Sequence, residues 1–169
     1  MKGKWAQGIV PRHFAWILQD KLATCERPGG YGENHRKVRR QEEIIWLREQ
    51  GFDPVISVIS SPHNLHAYDE LGLRWEHIPF KVNQDSDEFL RRFYPRLRTL
   101  LTEGHKVVVH DEELSDRLAG TIAGYLVWAG LVPEVPRAVA MIERLLERQL
   151  GAKARTMVSS AANLADVKP

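Results

Sequence analysis

The sequence predicts an α/β fold: a single domain with a central, mostly parallel sheet flanked by helices. Three observations carry that expectation. Runs rich in β-branched residues recur at 54–60 and 106–110, as parallel strands buried on both faces require. Segments of helical period lie between and after them, at 87–102 and 118–128, the alternation that builds strand–helix–strand crossovers. Gly51, Gly72, Gly104 and Gly130 stand just past helical segments, where glycine relieves the last turn.

Each element follows in order. Residues 14–18 and 21–25 read as two short strands around a tight turn at Gln19 and Asp20. The breakers in 27–32 make a loop, and 35–50 reads as a helix with Ile44, Ile45 and Leu47 inward. A strand at 54–60, a short helix at 65–71 and a strand at 74–80 come next, Pro79 marking the last strand's end. In the helix at 87–102, Phe89, Leu90, Phe93, Leu97, Leu100 and Leu101 share one face, and Pro95 predicts a kink or a break. The helix at 118–128 is apolar nearly all round, as a core helix is. The last helix starts near Pro133–Pro136 and points Ala138, Met141, Ile142, Leu145 and Leu146 inward. Residues 152–169 are small and polar without a sustained period and read as a disordered tail. The expected division is therefore an extension at 1–13, a domain at 14–151 and that tail at 152–169.

Composition bounds the function classes. The chain has 169 residues, 43% hydrophobic and 27% charged, and a net charge of +2, too small to argue for nucleic acid or a membrane surface. No stacking platform for nucleic acid is visible, and no run approaches the length of a membrane span. Cys25 is the single cysteine, which rules out an intramolecular disulfide and a thiolate metal cluster. Without an apolar leader at the N-terminus, the expected location is the cytoplasm. The basic run from His35 to Arg40 reads as a solvated helical turn, with a partner-binding face as the sharper alternative.

Residues 106–117 carry the chemistry. A strand ending at His110 runs into a loop, Asp111, Glu112, Glu113, Leu114, Ser115 and Asp116, and then a helix whose first turn holds Arg117. Loop and helix-start N–H groups converging on one point make an anion site. Here the loop carries four carboxylates against one arginine.

With these residues in view, the sequence resembles the cysteine-based dual-specificity and tyrosine phosphatases, in particular their compact bacterial and archaeal members. His110, the five residues between Asp111 and Arg117, and Gly124-Tyr125-Leu126 match the family's His-Cys, five residues, Arg and buried helix without a gap. Arg27-Pro28-Gly29, the segment from Leu71 to Pro79 and the closing helix agree in order. The resemblance implies a phosphoryl-binding loop oriented by His110, with Arg117 as the phosphate-binding position. It also implies a lost nucleophile. Asp111 stands where the family has cysteine, Leu114 where its loop has glycine, and Leu118 where Ser or Thr follows the arginine. The general-acid position falls on Val82 or Gln84, neither of which donates a proton usefully.

An aspartate can accept a phosphoryl group, but charge opposes it here. Two unit charges about 4 Å apart repel by roughly 4 kcal/mol at an effective dielectric near 20, and charge-assisted bonds from Arg117 return about 1.5–3 kcal/mol each. An Asp111–Arg117 ion pair is the expected resting state. Asp85 reads as a helix N-cap, Cys25 as a structural thiol, and His63 with His66 as lacking a third metal ligand. The expected function is thus a phosphatase-like protein without catalysis, a pseudophosphatase that binds or scaffolds a protein partner, with no cofactor and no metal. The alternative is a hydrolase of altered, cation-assisted chemistry centred on Asp111.

Overall fold

Five strands form one sheet in a computed structural model that describes residues 8–30, 37–62 and 65–166. β1 (Ala15–Leu18) and β2 (Leu22–Glu26) make the expected antiparallel hairpin, with Asp20 in a left-handed conformation (φ 62°) in the turn. β3 (Val55–Ser57), β4 (Trp75–His77) and β5 (Val107–Asp111) run parallel, and the spatial order is β1-β2-β5-β3-β4. The predicted α/β class with a mostly parallel sheet is what the chain adopts. β5 lies at the centre, paired with β2 on one side and β3 on the other, and all five of its residues are buried. Its unbroken apolar run is the sequence form of that position.

The chain divides into two compact units. The first takes Met1–Pro79 and Leu100–Leu114 and contains the sheet, α1 (Lys37–Glu49) and α2 (His66–Glu70). Ala23, Cys25, Val55 and Val108 on one sheet face pack with Ile44 and Leu47 of α1 and Ala67 and Tyr68 of α2. Phe14, Trp16, Trp46 and Phe52 extend this core; Trp16 stacks on Phe52 with ring centroids 5.3 Å apart.

The second unit takes Phe80–Thr99 and Ser115–Pro169. It holds most of α3 (Ser86–Thr102) together with α4 (Asp116–Trp128), α5 (Val135–Leu146) and α6 (Ala152–Asp166). α3 is not broken at Pro95. Phe93, Tyr94 and Leu97 on either side of the proline are fully buried, and the Tyr94 hydroxyl donates to the Thr121 carbonyl at 2.7 Å. Packing on both sides of Pro95 outweighs the one hydrogen bond that proline removes.

Two expectations are corrected here. Residues 152–166 are not a disordered tail but α6, with Ala154, Met157, Val158 and Ala161 buried. Those four stand at helical spacing, yet two are alanines, so the stripe carries little hydrophobic signal. Alanine suits the place sterically: a Cβ on Gly120 of α4 would already lie 2.9 Å from the Cα of Ala154. The inward face of α5 is also rotated from the predicted one. Ala138, Val139, Ile142 and Leu146 are buried, while Met141 and Leu145 are only half-buried. Residues 1–7, 31–36, 63–64 and 167–169 lie outside the described residues, and with them His35 and Arg36 of the basic run, His63 and Trp5.

Candidate functional site

β5 carries His110 and Asp111 to the carboxyl end of the central strand, the edge at which open α/β sheets bind ligands. Register sets their neighbours: His110 lies opposite Cys25 on β2 and Ser57 on β3, and Asp111 opposite Glu26. His110 is buried between two partners. The Tyr68 hydroxyl lies 2.9 Å from its Nε2, and its Nδ1 lies 3.3 Å from the Asp111 carbonyl. A carbonyl only accepts, so Nδ1 carries the proton and Tyr68 donates to Nε2: the neutral tautomer. Burial holds the imidazole pKa down to about 4, against the pull of the Asp111 carbonyl and with help from Arg27 and His77.

Asp111 is 4% exposed, and its Oδ1 accepts the backbone N–H of Glu112 at 2.8 Å. A loop N–H is thereby taken by the chain's own carboxylate. Glu112 in turn meets Arg27, Nη1 to Oε2 at 2.6 Å. Arg27 comes from the loop after β2, which turns through two left-handed glycines, Gly29 and Gly30. Gly29 donates its N–H to Oε1 of Glu43 at 3.2 Å, and Arg39 donates to the other oxygen at 3.2 Å. Glu43 is 1% exposed; burial raises its carboxyl pKa in spite of both bonds. Behind these groups is a cavity of about 10 Å³ lined by Arg27, Arg40, Tyr68 and His110, among others. It has room for a water at most and none for a phosphate.

The second half of the predicted loop belongs to α4. Ser115 is the N-cap, its Oγ accepting the Leu118 N–H at 3.0 Å, so the helix starts at Asp116. Asp116 accepts the Gly151 N–H at 2.7 Å and faces Arg148 at 3.7 Å, which fastens the start of α4 to the α5–α6 junction. The Arg117 guanidinium lies over the Phe80 ring, 4.4 Å from its centroid, in cation–π geometry. The carboxylates at 111, 112 and 116 thus face different protein groups. Among the described residues, left-handed φ outside glycine occurs at His13, Asp20 and Glu147. Leu114 therefore has no need of glycine's freedom.

The remaining candidates divide clearly. Cys25 is fully buried, and burial with Glu43 and Glu26 beside it drives its thiol pKa far up; it is a core residue. Asp85 directly precedes α3, and its carbonyl accepts the Phe89 N–H at 3.3 Å, the backbone bond of an N-cap residue. In the basic run, Arg39 is tied to Glu43 and Arg40 lines the small cavity. Among the described residues no three His, Cys, Asp or Glu side chains are grouped to hold a metal ion, and no helix is long and apolar enough to cross a membrane.

Sequence reasoning missed Arg27, Glu43 and Tyr68 as determinants of this edge. Glu43 had a signal, its spacing of four from Arg39 on one helix. Arg27 and Tyr68 had none, because each meets its partner across the fold, 85 and 42 residues away.

No protein-family model matches the chain, and no curated protein matches it in sequence. Solved structures do. A kinase-associated phosphatase whose catalytic-site cysteine is replaced by serine superposes with a TM-score of 0.78 at 16% identity, over 95% of this chain and 99% of that one. P. aeruginosa TpbA in complex with phosphotyrosine gives 0.67 at 14% identity, over 97% of each. The human tyrosine phosphatase-like serine/threonine/tyrosine-interacting protein gives 0.66 at 16% identity, over 89% of this chain and 96% of that one. Likeness at this identity is likeness of fold: the chain has the α/β fold of the tyrosine and dual-specificity phosphatases.

Proposed function

We propose that this chain is a phosphatase-fold protein without phosphatase chemistry, and that it acts by binding or scaffolding a protein partner. Asp111 occupies the nucleophile position and Arg117 the phosphate-binding position of a degenerate loop oriented by His110. The observation that carries this is the self-satisfaction of the loop. Asp111 accepts the Glu112 N–H, Glu112 holds Arg27, and Ser115 caps α4. Two N–H groups at this position, those of Glu112 and Leu118, are already taken by side chains of the chain itself. A phosphate arriving at Asp111 would have to displace a buried carboxylate and face its repulsion, about 4 kcal/mol per unit charge at 4 Å.

The test is turnover by the purified protein of an aryl phosphate and of phosphotyrosyl and phosphothreonyl peptides, with and without millimolar Mg²⁺, Mn²⁺ or Zn²⁺. The expected result is no turnover above buffer. Hydrolysis that disappears in both Asp111→Ala and Arg117→Ala would overturn the proposal. If it also needs the cation, the altered-chemistry reading takes its place.

A further inference from the structure

The surface at the start of α5 lies outside the loop and has the makings of a docking site. A groove of about 380 Å³ is lined by Leu131, Val132, Pro133, Arg137, Ala140, Met141 and Arg144, a volume in the range of real binding clefts. Leu131 is 52% exposed. Met141, which the helical pattern assigns to the core, opens into this groove, as does exposed Ala140.

Arg137, Ala140, Met141 and Arg144 share one face of α5, at intervals of three, four and seven. The result is an apolar strip with an exposed guanidinium at each end. Among the described residues neither arginine has a carboxylate partner, in contrast to Arg148 and Arg155 next to them, which are paired with Asp116 and Glu143.

We propose that this groove binds an acidic segment of a partner protein, with two carboxylates flanking an apolar residue. The spacing selects the pattern. Seven residues of helix rise about 10 Å, and three residues of a polyproline II segment span about 9 Å with positions i and i+3 on the same side, so a Glu-x-x-Glu in that conformation places one carboxylate at each arginine. The apolar residue between them covers Met141 and Leu131. Bidentate pairing suits arginine better than lysine at both ends. The concave apolar floor and the mere two charges favour a peptide over a lipid surface, which would call for a broader basic face.

The test uses the full chain and two fluorescein-labelled peptides, one with a Glu-Ile-Leu-Glu core in a Gly-Ser frame and its twin with Gln for Glu. Fluorescence anisotropy at about 50 and 300 mM salt reads the affinity. The Glu peptide is expected to bind, to weaken at the higher salt, and to lose at least tenfold in affinity with Arg137→Glu or Arg144→Glu. Leu131→Asp should weaken it similarly. Arg91→Glu, an equal charge change on exposed α3 outside the groove, should leave it within twofold; circular dichroism confirms that each variant is folded. Equal binding of the Glu and Gln peptides overturns the proposal. So does an equal loss in Arg91→Glu, which would mean diffuse charge attraction. Absence of peptide binding at millimolar concentration, with or without binding to phosphatidylserine vesicles, overturns it as well.

Discussion

Acid should weaken this protein through one residue, His110. Its imidazole is buried and neutral in the fold, with pKa held down to about 4 from an ordinary value of 6.5. The unfolded chain therefore binds a proton that the folded chain refuses at every pH between those values. Stability then rises with pH across that window, is fully present above about 6.5, and is lost as pH falls toward 4. The interval corresponds to about 3 kcal/mol, a large share of the 5–15 kcal/mol that typical domains possess. The measurement is urea unfolding of the wild type and His110→Gln at several pH values from 4 to 7.5. Carboxylates titrate in both proteins, so their contribution cancels in the difference. Glu43, whose raised pKa slopes the opposite way, cancels too. The variant loses the Tyr68 and Asp111 partners and is expected to be the less stable at pH 7.5. Its deficit should shrink by about 2–3 kcal/mol on descending to pH 4. A deficit that stays constant with pH would refute the assignment of a buried neutral imidazole.

Three further outcomes follow from the packing. Gly120→Ala should destabilise by about 1–3 kcal/mol in thermal or urea unfolding, because the added methyl meets the Ala154 backbone at 2.9 Å. The helix-propensity gain of up to about 1 kcal/mol does not offset that, and a raised melting temperature would contradict the close α4–α6 contact. Glu112→Ala leaves a largely buried Arg27 guanidinium beside Arg40 and should cost about 1–3 kcal/mol, whereas Glu113→Ala, at an exposed position, should be neutral within about 0.5 kcal/mol. On the proposed reading of the loop, Asp111→Cys alone should not create efficient aryl-phosphate hydrolysis, since the Arg27–Glu112 pair and the neighbouring carboxylates remain; turnover comparable to an ordinary cysteine phosphatase would refute this.

The α/β class and its order of elements were legible because periodicity is local. The three valines at 107–109 read as a buried strand, and Gly51, Gly72, Gly104 and Gly130 marked real ends. Ser115 and Asp116 were harder to assign. Read as loop, they are the cap and first residue of α4, because one hydroxyl reaching the Leu118 N–H settles where the helix begins. α6 escaped for a related reason. Its contact with α4 depends on small residues and close approach, and hydropathy weighs side chains by size.

What the sequence determined by itself is whatever depends on neighbours along the chain: the class of fold, the strand that carries His110, and the presence of four carboxylates between it and Arg117. The tertiary structure decided whom those carboxylates face. Glu112 meets Arg27 across 85 residues and Asp116 meets Gly151 across 35, and no periodicity connects such pairs. A charge has no meaning for binding until its partner is known, and partners of that kind are assigned only when the chain folds.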